Sequence, residues 1–146
     1  MSRMVFINLP VTDLDRSVGF YEAIGARKEP KFSNDQAAMM VISDTIAVML
    51  LRHEFYSGFT SKPIADAHRS SEVLIAISCD SPGAVDTMVD AAASAGGKAD
   101  PGPKNEMGEI MYGRSFEDPD GHHWEPMWMD AKFAEQGAHP AETVEA

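Results

Sequence analysis

The chain presents the same order of elements twice, and that repetition constrains its fold more than any other feature. Residues 4–11, MVFINLPV, alternate as a strand, with Val5, Ile7, Leu9 and Val11 on one face and Phe6 and Asn8 on the other. Pro10 suits a sheet edge or a strand end, because it has no amide hydrogen to give to a ladder. TDLDRSVGFYEAIGA then changes to helical spacing. Thr12 or Asp13 caps the helix, Leu14, Val18 and Tyr21 form its apolar stripe, and Gly25 stops it. AAMMVIS (37–43) and TIAVMLL (45–51), joined through Ser43-Asp44, read as a hairpin. After a long connection the pattern restarts. EVLIAISC (72–79) is a strand, Ser81 caps a helix over 84–95 with Pro82 at its first position, and Gly96-Gly97 ends it. Short strands follow at 98–99, 110–117 and 122–129. V-T-D before the first helix is echoed by S-C-D before the second, as expected of an internal duplication.

Neither half can bury both faces of its strands alone. The expected fold class is therefore α+β: two βαβββ modules, 3–60 and 71–130, sharing one cup-shaped curved sheet, with eight main strands and two principal helices. Residues 1–130 are expected to form one domain, with 52–71 as the linker and 131–146 as a frayed tail or short surface helix.

Composition removes several classes of function. A 44% hydrophobic content fills a core, yet no apolar run approaches the roughly 18–20 residues of a membrane span. With 12 Lys+Arg against 23 Asp+Glu the formal charge is −11, which repels phosphate backbones and anionic lipid heads. The basic residues form no stripe, so neither nucleic acid nor membrane is expected as a partner. A single cysteine, Cys79, permits no internal disulfide, and Asn8, Pro10 and Asp13 interrupt any secretory signal. A cytoplasmic location is expected.

The stretch SFEDPDGHHWEPMW (115–128) concentrates the polar chemistry. After the Pro119-Asp120-Gly121 turn, alternation puts His123, Glu125 and Met127 on one strand face and His122, Trp124 and Trp128 on the other. A His-x-Glu pair is able to hold a divalent ion through imidazole nitrogen and carboxylate oxygen, but a tight site needs three or four protein ligands. The remainder would have to come from His53, His68, Glu72, Asn8 or a partner chain. Tyr112 and Arg114 share a face of the preceding strand. Arg114 either clamps a substrate carboxylate by its fork or pairs with a surface group or Glu117. Phe55, Tyr56 and Phe59 of the linker either cover the cup or tack the crossover onto the sheet. Methionines such as Met49 and Met127 suit an adaptable apolar pocket or ordinary core filling. The loop DPGPKNEMGE (100–109) is placed to gate the cup. Trp124 and Trp128 need cover, which a symmetric homodimer contact would supply. Ser17, Ser115 and Cys79 have no neighbouring histidine motif that would mark a nucleophile.

LPVTDLDRSVGFYEAIGA resembles the opening of the glyoxalase, bleomycin-resistance and extradiol-dioxygenase proteins, the vicinal oxygen chelate superfamily. FEDPDGHHWEPMW resembles their closing motif, D-P-D-G followed by a strand that holds a glutamate. The likeness spans roughly residues 3–130 and is strongest to a bacterial branch described as predicted lactoylglutathione lyases. It implies paired βαβββ modules, frequent homodimerisation and a cup able to hold a divalent metal through four His or Glu ligands. Carried onto this chain, those positions fall on Phe6, near Met49, near Leu74, and on Glu125. Three of the four are apolar. The resemblance and the residues together favour a glyoxalase-like small-molecule-binding protein that lacks the usual four-ligand site and needs no cofactor. Its partners are expected to be a small molecule and a second copy of itself. The cup residues expected against the ligand are Phe6, Asn8, Met49, Leu74, Tyr112, Arg114, His123 and Met127. The other reading is a metal-dependent lyase or isomerase, lactoylglutathione lyase-like, using Zn, Ni, Mn, Fe or Co. In it Glu125 serves as ligand and catalytic base, with His123 as the only other candidate ligand.

Overall fold

The structure, a computed structural model, describes residues 2–137. Its first strand, β1 (Val5–Val11), alternates as its sequence requires: Leu9 and Val11 are buried and Ile7 packs beside them, while Phe6 and Asn8 face outward. Helix α1 (Leu14–Ala23) begins where the Asp13 carboxylate accepts the Arg16 amide, and the chain leaves it through Gly25, whose φ of +106° suits a residue without a Cβ. Strands β2 (Arg27–Glu29), β3 (Ala37–Val41) and β4 (Ile46–Arg52) complete the first module. Its sheet runs in the order β1-β4-β3-β2, with β1 parallel to β4 and Asn8 opposite Met49.

The crossover carries a short helix, α2 (His53–Tyr56), and a single 3₁₀ turn at Ser57–Phe59. The second module then repeats the first. It comprises β5 (Ile75–Ser78), α3 (Pro82–Ser94), β6 (Lys98–Ala99), β7 (Asn105–Glu106), β8 (Met111–Gly113), β9 (Phe116–Glu117) and β10 (His123–Met129). Ser81 caps α3 by accepting the Ala84 amide, with Pro82 at the start. Strand β5 lies parallel to β10 as β1 lies parallel to β4, with Ala76 opposite Glu125. A final helix, α4 (Ala131–Gln136), follows β10, so the expected tail begins as a helix; residues 138–146 lie outside the described residues. No helix among the described residues is long and apolar enough to cross a membrane.

Three expectations need correction. The strands form two sheets, of four and six strands, rather than one shared sheet. The described residues hold ten strands rather than eight, partly because the strand expected over 110–117 divides into β8 and β9. At Ser115 the backbone carbonyl and hydroxyl take the amides of Asp100 and Gly102, which draws the preceding loop onto the chain at the break. Trp124 needs no partner subunit for cover. It is fully buried in its own chain, stacked on Phe116 at 6.3 Å and edge-on to Tyr21 at 6.0 Å.

That aromatic group joins the modules into one core, because Phe20 and Tyr21 come from α1 whereas Phe116 and Trp124 come from the second sheet. Polar bonds fix the same seam. The Tyr21 hydroxyl donates to buried Asp118 at 2.6 Å and accepts from the Trp124 indole at 3.1 Å. Asp118 also accepts the amides of Asp120 and His122, both at 2.9 Å, which shapes the D-P-D-G turn. Asp120 accepts the Thr12 amide and hydroxyl at 3.1 and 2.8 Å and the Ser17 hydroxyl at 3.4 Å. The two sequence motifs are thus halves of one clasp. Gly121, with φ of +90°, closes it from outside: a Cβ there would meet the His68 amide nitrogen at 2.7 Å.

Replacing Asp118 by Ala is expected to cost about 3 kcal/mol, since buried donors lose a shared acceptor, and by Asn about 1 kcal/mol. Burial raises the Asp118 carboxyl above its usual range, with the His122 and hydrogen-bond effects opposing. A raised folded-state value means its stability contribution is full below about pH 4 and declines as pH rises. Denaturant titrations between acid and neutral pH check this: Asp118→Asn should gain on the wild type as pH climbs. A gap that widens instead would show that the carboxylate is favoured in the fold.

Candidate functional site

The candidate site lies on the sheet faces turned away from the shared core. In the second module, β10 leaves the D-P-D-G turn and sends His123, Glu125 and Met127 to that face, while Trp124 and Pro126 fill the core. The parallel register sets Ala76 beside Glu125 and Ser78 beside Met127, and Leu74, just before β5, is 59% exposed. In the first module the corresponding face carries Phe6 and Asn8 from β1, Met49 from β4 and Met39 opposite it on β3. Phe6 is 49% exposed and Met49 half-buried.

The one polar pair that the sequence placed on this face is formed. His123 Nε2 lies 3.1 Å from Glu125 Oε2, and the Glu125 side chain remains 42% exposed. The pair offers a carboxylate for proton abstraction or ion contact and an imidazole that orients it. It does not make a metal centre. The carbon side chains of Phe6 and Leu74 have no lone pair to give, and the Met49 thioether suits only soft ions. Among the described residues no group of three or more His, Cys, Asp and Glu is placed to hold a metal ion. The residues present therefore do not fit a four-ligand site.

His122 points elsewhere. Its Nε2 donates to the Pro10 carbonyl at 2.8 Å, and its amide serves the clasp. Tyr112 and Arg114 do share a strand face, but it is the α3 side of the sheet, opposite Glu125. Arg114 grips Asp100 with two bonds, at 2.9 and 2.7 Å, and Asp86 at 2.9 Å, while Tyr112 donates to Asp86 at 2.6 Å. With a side chain only 12% exposed, Arg114 has no fork free for a substrate carboxylate, and its partners are these aspartates rather than Glu117. The bonds lower the Asp86 and Asp100 carboxyls and raise the guanidinium further above its normal range. The cluster ties the start of the 100–109 loop to α3.

Of the residues expected to bind ligand, Asn8 and His123 line a common cavity of about 230 Å³ at the seam between the modules. Its outer wall is Tyr56 and the crossover at Ser70, Ser71 and Glu72. The crossover serines carried no motif. Their only signal was the length of the connection, since a long segment inside a compact chain is commonly functional.

Comparison with known proteins identifies the family and the fold. The family description "Glyoxalase/Bleomycin resistance protein/Dioxygenase superfamily" matches residues 3–125, and the chain belongs to that family. A hypothetical protein from S. aureus shares 25% identity at a TM-score of 0.72, over 88% of this chain and 95% of that one. A glyoxalase-related enzyme from Fulvimarina pelagi shares 19% at 0.71, over 88% of each chain. The fosfomycin resistance protein FosX of Mesorhizobium loti shares 19% at 0.61, over 92% of this chain and 96% of that one. Such likenesses establish the fold. No curated protein matches the sequence.

Arg114→Met should release the 100–104 segment without disturbing the His123–Glu125 face. The expected result is amide exchange at Asp100 and Gly102 faster by about tenfold, equivalent to ~1.4 kcal/mol of local opening. Shifts at Glu125 as large as those at Asp100 would show that the two faces are coupled.

Proposed function

We propose that this protein binds a small organic molecule on a metal-free cup and that a second copy of the chain completes the cup. One observation carries the reading: the positions at which the family resemblance places metal ligands hold Phe6, Met49 and Leu74, leaving Glu125 with His123 alone. An apolar floor with one oriented carboxylate at its edge suits recognition of a largely apolar ligand with a polar end. Met49 and Met127 add polarisable, adaptable surface, with Met39 buried beside Met49. The similarity to fosfomycin resistance proteins is compatible with a role in handling a small foreign molecule, in a cytoplasmic setting.

The homodimer rests on bare strand edges. Strand β1 pairs only with β4 and β5 only with β10 among the described residues. Met4, Val5 and Phe6 of the first edge and Val73 and Leu74 of the second are exposed apolar side chains. Edge strands of that character are normally covered or charged. Trp128 lies on the opposite face of β10, away from both edges.

A second reading keeps Glu125 as the base of a lyase or isomerase, and the 3.1 Å His123–Glu125 bond favours it. Abstraction of a proton beside a carbonyl also needs a group to stabilise the developing enolate. Among the described residues on this face the polar group beside Glu125 is His123, whose ring nitrogen is already engaged by that carboxylate.

Two outcomes are expected. Untagged protein should carry well under one equivalent of metal per chain, and adding nickel, zinc, cobalt or manganese should elicit no lactoylglutathione lyase turnover. One tightly held ion per chain, lost together with turnover in Glu125→Gln, would reverse the reading in favour of the enzyme. By sedimentation the chain should be a dimer at micromolar concentration, and Phe6→Glu with Leu74→Glu should make it a folded monomer. A wild-type monomer would refute the assembly.

A further inference from the structure

The seam cavity is one half of a longer groove. A second cavity, about 240 Å³, is lined by Leu51, Phe59 and Thr60, and it shares Asn8 and Tyr56 with the first. Together they reach the size of small-ligand pockets, ~300–1,000 Å³. The two lobes differ in chemistry. The outer lobe is apolar, with Phe59 72% exposed and held edge-on against Phe55 at 5.2 Å. A ring so exposed, with its one aromatic contact edge-on, has a face open to a flat apolar partner.

The seam lobe has a largely apolar wall, with Leu9, Val73 and Ile75 among it, into which two acidic residues are set. Glu72 and Glu117 contribute carboxylates, Asn8 an amide and Ser70 a hydroxyl, beside His123. Among the described residues no lysine or arginine lines either lobe. His123 stands opposite Glu117 on one side of the ladder and Lys98 on the other, and among the described residues Lys98 makes no ion pair with Glu117. A cleft walled by one sign of charge concentrates ions of the other sign, on a surface already at −11. Tyr56, at the junction of the lobes, presents an aromatic ring to a passing cation.

From this arrangement we infer that the groove takes an aromatic or apolar organic amine, its body between Phe59, Leu51 and Tyr56 and its ammonium group between Glu72 and Glu117. The inference rests on the small-molecule reading above and narrows it: the ligand is a cation, and it reaches the cup past Asn8 and His123. It also gives the crossover a part in recognition, because Tyr56 and Glu72 both belong to that connection.

The test uses the full chain and three matched probes: 4-phenylbutylamine, 4-phenylbutanol and 4-phenylbutyrate. Calorimetric titration at low ionic strength should find the amine about tenfold tighter than the alcohol and the carboxylate weakest. The amine's advantage should shrink as salt is added. In Glu72→Gln/Glu117→Gln the amine-to-alcohol ratio should fall to about threefold or less. Amide shifts on binding should centre on Asn8, Tyr56 and Thr60. Equal affinities, or a preference for the carboxylate, would overturn the cationic assignment and leave the cup reading standing. Shifts confined to Glu125, Met127 and Ala76 would place the ligand in the cup and refute the groove. Failure of all three probes to bind at millimolar concentration would refute this ligand class, and the metal measurement above would then decide the cup reading separately.

Discussion

Two buried carboxylates hold this molecule together. Asp118 and Asp120 sit in the D-P-D-G turn of the second module and reach residues about a hundred positions earlier: Tyr21, Thr12 and Ser17. Buried carboxylates are costly unless their oxygens are satisfied, and here hydroxyls and backbone amides do this, with exposed Arg16 3.5 Å from Asp120. The clasp sets the position of α1 against the second sheet, and hence the packing of Phe20 and Tyr21 on Phe116 and Trp124. It also fixes where β10 begins. A turn displaced by one residue would exchange the faces of His123 and Trp124, putting an indole in solvent and an imidazole in the core.

The residues that make the chain recognisable are therefore structural. Thr12, Ser17, Tyr21, Asp118 and Gly121 bear the family motifs, and each is used by the clasp or by the crossover packed on it. The proposed ligand face draws instead on Phe6, Asn8, Met49, Leu74 and His123, which the motifs scarcely constrain, and on Glu125, the one motif residue turned to that face. That separation explains how one scaffold can carry ligand sets of different kinds. Its strands present the same positions whatever side chains occupy them.

Local order was legible in the sequence wherever the signal was itself local. The alternation of β1, the caps at Asp13 and Ser81, the glycine after α1 and the 37–51 hairpin depend on neighbours a few residues apart. So did the facing of His123, Glu125 and Met127, which follows from counting along a strand. Long-range pairing was not legible. Nothing near Arg114 announces that Asp86, on a helix 28 positions earlier, and Asp100 will occupy its fork. The same holds for Trp124, whose cover comes from Tyr21 rather than a second subunit. The division into two sheets escaped because the repeat specifies each module's internal pairing but not how the modules meet. The groove escaped because Tyr56 and Ser70 acquire meaning only when the crossover folds back over Asn8.

The central claim is that this face is an apolar ligand surface and not a metal centre. The ten methionines are natural reporters, since Met39, Met49 and Met127 lie on that face while Met40 and Met88 pack with the core. Methyl spectra of methionine-labelled protein, recorded through titrations with zinc or nickel and with an uncharged aromatic fragment, separate the alternatives directly. The account predicts that the fragment moves the Met39, Met49 and Met127 signals and that metal leaves them in place. A stoichiometric, saturating shift of Met127 on adding metal, with no response to the fragment, would contradict it.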